Sequence, residues 1–287
     1  MPIDIRYHAV SLLAVFLALV LGILVGFAMV DPTQMQEFVD MVKKDNERTR
    51  TENREELEAL REKEGISAAF ENSLLPYIIE DRLANRRVAI VLDYVPQHDS
   101  PAPMLREVLE KAGASVTAAL SLDPKFGRLE EEEAAQVVEE LDLETPPEQN
   151  LRTFLAERLG ESIADGGSDL PFRLEKEALL QIAPRSSFDR AVDAVVVVGN
   201  TAQPQEFLDS VEEPLLRTLQ EQGRRIVGCE LSGDAGDAVQ FYQRLDCSTV
   251  DCVDTYPGQV ALVLVLAGED GRFGTKPTAD RLLPELE

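Results

Sequence analysis

Apolar and polar positions divide the chain into three regimes. Residues 9–30, AVSLLAVFLALVLGILVGFAMV, are uncharged and, but for Ser11, apolar. At 1.5 Å per residue the run makes a helix of about 33 Å, enough to cross a hydrocarbon core of about 30 Å. Residues 33–72 are charge-rich, nearly free of Gly and Pro, and read as one long helix. From residue 87 onward short β-rich apolar runs alternate with helical patterns, the signature of a sheet covered by helices.

A secretory signal would stand where the first run stands, and Gly26-Phe27-Ala28 has the small-x-small outline of a cleavage site. The run nevertheless exceeds the roughly 7–15 residues of a signal core, and only Arg6, offset by Asp4, leads it. The expectation is an uncleaved single-pass anchor in the plasma membrane. Residues 1–8 are then a short cytoplasmic tail, and the bulk of the chain is extracytoplasmic. Ala14, Ala18, Gly22 and Gly26 recur every fourth residue, so they share one helix face and admit a second helix at close range. Ser11 is the single polar side chain of the run. A lone helix of this composition supplies no polar path through a membrane and predicts a tether, not a channel.

The second regime, 31–75, predicts a coiled-coil stalk. Met35, Val39, Val42, Asn46, Thr49, Asn53 and Leu60 follow a 4-3 alternation, with Asn46 and Asn53 both at the position called a. Asn there fixes register and favours two strands at a cost in stability. A solvated helical stalk without a partner is the competing reading, because little apolar content lies between Asn53 and Leu60. The small-residue face and the stalk both point to a homodimer.

The third regime, 76–268, opens at Pro76 and predicts a doubly wound α/β domain, Rossmann-like or flavodoxin-like, followed by a tail over 269–287. Its strands are expected at 87–94, 115–122, 193–199 and 224–231. Helices are expected at 104–111, 204–222 and 234–245, and 258–267 is open between helix and fifth strand. The second and third strands are too far apart for one crossover helix, so 124–190 contains an insertion with helices at 129–143, about 147–159 and 171–182. The acidic run 130–133 suits a helix amino terminus.

A doubly wound sheet raises the question of catalysis, and the residues for it are missing. The loop after the first strand reads VPQHDSPAP, without the Gly-rich turn that receives a pyrophosphate. No Walker loop appears, and with His8 and His98 the sole histidines no Ser-His-acid set stands in an elbow. Asp93 and Asp99, with Asp251 and Asp254, fall where ligands bind such sheets, yet serve equally as loop and cap residues. The expectation is a protein that is not an enzyme. Cys229 lies on a strand, while Cys247 and Cys252 stand in C-x4-C spacing, which admits simple packing, a disulfide or a soft-metal site such as Cu(I). Only Asp4 and Arg6 precede residue 31 among charged side chains, so essentially the whole net charge of −25 belongs to the stalk and domain. Nucleic acid and anionic lipid surfaces are poor partners for it.

The opening HAVSLLAVFLALVLGILVG (8–26), followed by a stalk, resembles the amino-terminal anchor of the mycobacterial copper transport protein B (MctB-like) family. The stretch STVDCVDTYPGQVALVLVLAGEDGRFGTKPTADRLLP (248–284) is similar to the carboxyl-terminal signature of that family: an STVD-x-VDT turn, a Gly-Gln-containing apolar helix, a Gly-x-x-Gly segment and a closing Leu-Pro. The resemblance implies that 258–267 is a helix and that the protein acts in copper ion homeostasis or export at the cell envelope, with copper as the metal. It also implies an alternative, known for related actinobacterial members, in which stalk and α/β domain form a non-catalytic scaffold or regulator of cell-wall hydrolysis at cell separation and hold an envelope protein partner.

Overall fold

The computed structural model describes residues 5–29, 32–93, 100–144, 149–199, 203–233 and 238–285, with side chains described in these ranges except at 5–9, 27–29, 32–35, 38, 39 and 72. It separates into two compact units, Met1–Ala69 and Phe70–Glu287.

The first unit is helical. Helix α1 spans Ile5–Met29, and α2 begins at Pro32 and belongs to the element Pro32–Ile79. Apolar side chains from Val10 to Val25 are more than half exposed on every side of α1. The part of α1 with described side chains, 10–26, is about 25 Å long, short of a bilayer core of about 30 Å. Among the described residues, no helix is long and apolar enough to cross a membrane. Along α2, i to i+4 ion pairs such as Arg48 with Glu52 (2.8 Å) and Arg54 with Glu58 (3.1 Å) line an exposed surface.

The second unit is built on a seven-stranded sheet. Expected domain entry at Pro76 gives way to a helix that continues through Pro76 to Ile79, with the Glu80 N–H donating to Pro76 O at 2.8 Å. There follow β1 (Arg87–Leu92), α3 (Ala102–Lys111), β2 (Ser115–Leu122), α4 (Pro124–Arg128), α5 (Glu131–Glu140), α6 (Leu151–Asp165), α7 (Leu170–Lys176) and β3 (Leu180–Ile182). The rest of the unit comprises β4 (Ala194–Val198), α8 (Gln205–Phe207), a π-helical turn (Leu208–Glu212), α9 (Glu213–Glu221), β5 (Arg225–Cys229), α10 (Ala238–Arg244), β6 (Ser248–Val250), α11 (Tyr256–Ala267) and β7 (Arg272–Phe273).

Strand order is β3-β2-β1-β4-β5-β6-β7. Every pairing is parallel except β2 with β3. Leaving out the antiparallel edge, the parallel strands follow the flavodoxin-like order, with the chain reversing direction of growth between β1 and β4. Period-2 alternation assigns strand residues to opposite faces. Ala89, Val91, Val195 and Val197 join the core under α4–α10. Val88, Ile90, Leu92, Val196 and Val198 join the core under α3, α11 and the end of α2, where Leu75 and Ile79 are buried.

Two expectations are corrected, and one left open is settled. The helix expected at 171–182 stops at Lys176, because Ala178 turns left-handed (φ 58°) and Leu180–Ile182 then pairs with the edge of β2. The sheet is therefore mostly, not wholly, parallel. Of the expected STVD-x-VDT turn, Ser248–Val250 is strand β6 with β7 beside it, and the turn follows, the Thr255 N–H donating to Cys252 O at 2.8 Å. The stretch 256–267 is a helix: the Thr255 hydroxyl accepts from the Gly258 N–H, and Pro257 suits a first turn that needs no donor. Residues 94–99, with His98 and Asp99, lie outside the described residues, as do 234–237.

Candidate functional site at the carboxyl ends of the strands

Ligands of open α/β sheets bind beyond the carboxyl ends of the strands, near the point where strand order reverses. Here that end holds buried acids. Asp93 follows β1 and is buried, its N–H donating to Val198 O at 3.0 Å. Glu212, fully buried, comes from the π-helical turn, and its Oε1 accepts from the Tyr242 hydroxyl at 2.6 Å. Its Oε2 has no hydrogen-bond partner. Burial first, then the Asp93 carboxylate, hold the Glu212 carboxyl well above the usual carboxylate range, against the lowering effect of the Tyr242 hydroxyl. Burial and Glu212 push Tyr242 up in turn. Tyr242 reaches this place by lying across Gly228 of β5, where a Cβ would stand 2.3 Å from its ring.

A second acidic group closes the far side of the same end. Glu230, after β5, is fully buried, pairs with the Lys276 ammonium through Oε1 and accepts from the Val239 N–H through Oε2 at 3.2 Å. Asp251, after β6, accepts from the N–H groups of Thr275 (2.7 Å) and Lys276 (3.0 Å). Gly274 (φ 143°) makes this approach possible, since a Cβ there would fall 2.0 Å from the Asp251 carboxylate. The GRFGTKP stretch is thus a strap that neutralises two buried acids. Asp254 has a local role, accepting from the Ser232 N–H (2.7 Å) and hydroxyl (2.6 Å).

Cys247 and Cys252 are not brought together. Strand β6 lies between them, and its three extended residues alone carry the chain about 10 Å. A disulfide requires Cα atoms within about 7 Å, and a shared ion requires both sulfurs within about 2.3 Å of it. All three cysteines are free and buried. Burial, then Asp246, push the Cys247 thiol up to about 11, with Gln220 donating to its sulfur at 3.4 Å. Burial also raises Cys252, whose sulfur shares a hydrogen bond with the Thr275 hydroxyl at 3.0 Å. Burial, then Glu230, raise Cys229. Among the described residues no group of three or more His, Cys, Asp or Glu side chains could hold a metal ion. Cys247 and Cys252, on either side of β6, therefore do not share one copper ion.

The residues marked for pairing all lie in the first unit. Ala14, Ala18, Gly22 and Gly26 are exposed on α1, and nothing stands within 4 Å of a Cβ added at Gly22 or Gly26. Asn46 and Asn53 are exposed on α2. Sequence reasoning found Asp93, Asp251 and Asp254 but missed Glu212, Tyr242, Glu230 and Lys276.

Fold and site together define a flavodoxin-like α/β protein with buried acids at the carboxyl ends of its strands. The family described as "Copper transport outer membrane protein, MctB" matches residues 2–284, and the chain belongs to that family. It is 25% identical over 307 residues to the proteins described as "Copper transporter MctB" in Mycobacterium bovis and Mycobacterium tuberculosis, covering 95% of this chain and 96% of each relative.

Proposed function

We propose that this protein is a membrane-anchored, extracytoplasmic member of its family with a role in copper homeostasis or export, neither an enzyme nor a channel by itself. The observation that carries this reading is the apolar surface of α1, exposed on every side from Val10 to Val25. A helix apolar all round belongs in a core or a membrane. The span 9–30 serves as the anchor, with 1–8 cytoplasmic. The family description and the relatives' names support copper as the cargo. Two copies pair through the face of Ala14, Ala18, Gly22 and Gly26 and through Asn46 and Asn53 of the stalk.

A strain lacking the protein is expected to accumulate copper when challenged with the ion. The full chain restores normal content, and a chain lacking 9–30 does not. Unchanged copper content on deletion, measured by elemental analysis of washed cells, would sink the reading.

The scattered thiols favour a second reading, in which the chain is a non-catalytic scaffold for an envelope partner in cell-wall hydrolysis. That role requires no metal ligands. It predicts that crosslinking in the native membrane recovers a defined cell-wall hydrolase or its regulator, and that the purified full chain takes up no stoichiometric Cu(I).

A further inference from the structure

Beside the carboxyl end of β1 lies a cavity of about 380 Å³ between α3 and the antiparallel edge formed by β3. Its size falls within the roughly 300–1,000 Å³ of small-molecule sites. The insertion creates it. After β3 the chain continues along β2, with the Ala183 N–H donating to Ala119 O at 2.9 Å and the Ser187 N–H to Thr117 O at 2.8 Å. This edge forms one wall and the first turns of α3 the other.

The lining combines an apolar body with a few polar groups. Leu92, Leu120, Ile182 and Ala183 supply hydrocarbon. Arg106 and Arg185 supply positive charge, and among the described residues no acidic side chain lines the cavity. That is unusual in a chain with 53 acidic and 28 basic residues. By contrast, the depression between α6 and α9 is lined by Glu157, Glu161, Asp209, Glu213 and Glu221 around Arg217. Arg106 donates through Nη1 to Val116 O at 2.7 Å and stands 3.7 Å from the exposed Glu110 carboxylate, while its Nη2 has no partner. Arg185 is exposed and makes no ion pair with a described residue.

We propose that this cavity binds an apolar monocarboxylate, its hydrocarbon body against Leu92, Leu120, Ile182 and Ala183 and its carboxylate held by Arg106 and Arg185. A guanidinium fork matches the planar two-oxygen geometry of a carboxylate. The net charge of −25 works against a ligand of higher negative charge. A wholly neutral apolar ligand would leave Arg185 without a counter-charge. The site is separate from the proposed role in copper homeostasis and stands or falls independently of it.

The test uses the full chain in lipid nanodiscs, with empty nanodiscs as the blank, and labelled decanoate and 1-decanol as probes. Decanoate is expected to saturate at about one per chain. Arg185→Gln, at an exposed side chain that folding does not require, is expected to weaken decanoate roughly tenfold, as loss of one charge-assisted hydrogen bond does. Retention of 1-decanol should stay unchanged in that variant. Ala183→Phe fills the cavity and is expected to abolish saturable decanoate binding with an unaltered melting curve. Retention no greater than in empty nanodiscs overturns the proposal. Binding lost in Ala183→Phe yet unchanged in Arg185→Gln overturns the assignment of a carboxylate.

Discussion

Single residues at the strand ends carry strain and charge whose consequences can be measured. Gly274 has both a left-handed backbone and a carboxylate 2.0 Å from where its Cβ would be. That carboxylate is fixed by two backbone N–H groups and cannot swing aside. Gly274→Ala is expected to cost about 3–4 kcal/mol, from the backbone and the overpacking together. Gly223 (φ 69°) has open space around it, so Gly223→Ala isolates the backbone cost of about 1–2 kcal/mol. Thermal unfolding of the two variants side by side checks the difference. Glu212 offers a test by pH. Its folded carboxyl holds a proton that the unfolded chain releases near the ordinary value of 4.5, so the folded state binds more protons above that pH. Stability contributed here is present below about pH 4.5 and declines as pH rises toward the elevated folded value. Glu212→Gln, which still accepts from Tyr242, should remove that part of the alkaline decline in urea titrations at pH 5, 7 and 8. An identical pH profile in the variant would contradict it. Asp93 was legible in the sequence because it ends the apolar run of β1. Glu212 was not, because within an amphipathic helix a buried acid looks like a solvated one. Its partner Tyr242 comes from 30 residues away.

Elements were legible in proportion to their length and burial. Strands β1, β2, β4 and β5 are continuous apolar runs and declare themselves. Strands β3, β6 and β7 have two or three residues each and pair only because the neighbouring edge is already in place. The π-helical turn likewise left no trace in the periodicity of 204–222, although such turns are frequent at functional positions. In α2, the Asn pair states an expectation about association. Asn46→Leu with Asn53→Leu should strengthen pairing of the stalk and loosen its restriction to two copies, because buried Asn at these positions trades stability for register. Crosslinking in native membranes, resolved by size, reads both effects, and an unaltered dimer yield would argue for a solvated stalk.

At the scale of the molecule, the doubly wound class was readable because strands and helices alternate through most of the second unit, whereas the antiparallel edge was hidden in the insertion. That edge changes what the fold offers, since it walls a cavity over the ends of β1 and β2, on the insertion side of the point where strand order reverses. The family likeness was carried by the two ends of the chain, and the carboxyl-terminal part of it coincides with the strap over β5 and β6. The strap also sets an order of events in biosynthesis. A chain made from its amino end presents Glu230 and Asp251 well before Lys276 and Thr275 exist to neutralise them. This half of the sheet therefore cannot settle into its final state until residues 275 and 276 have been made. Until then the nascent protein carries a half-finished sheet, and the strap acts as the latch that ends that period.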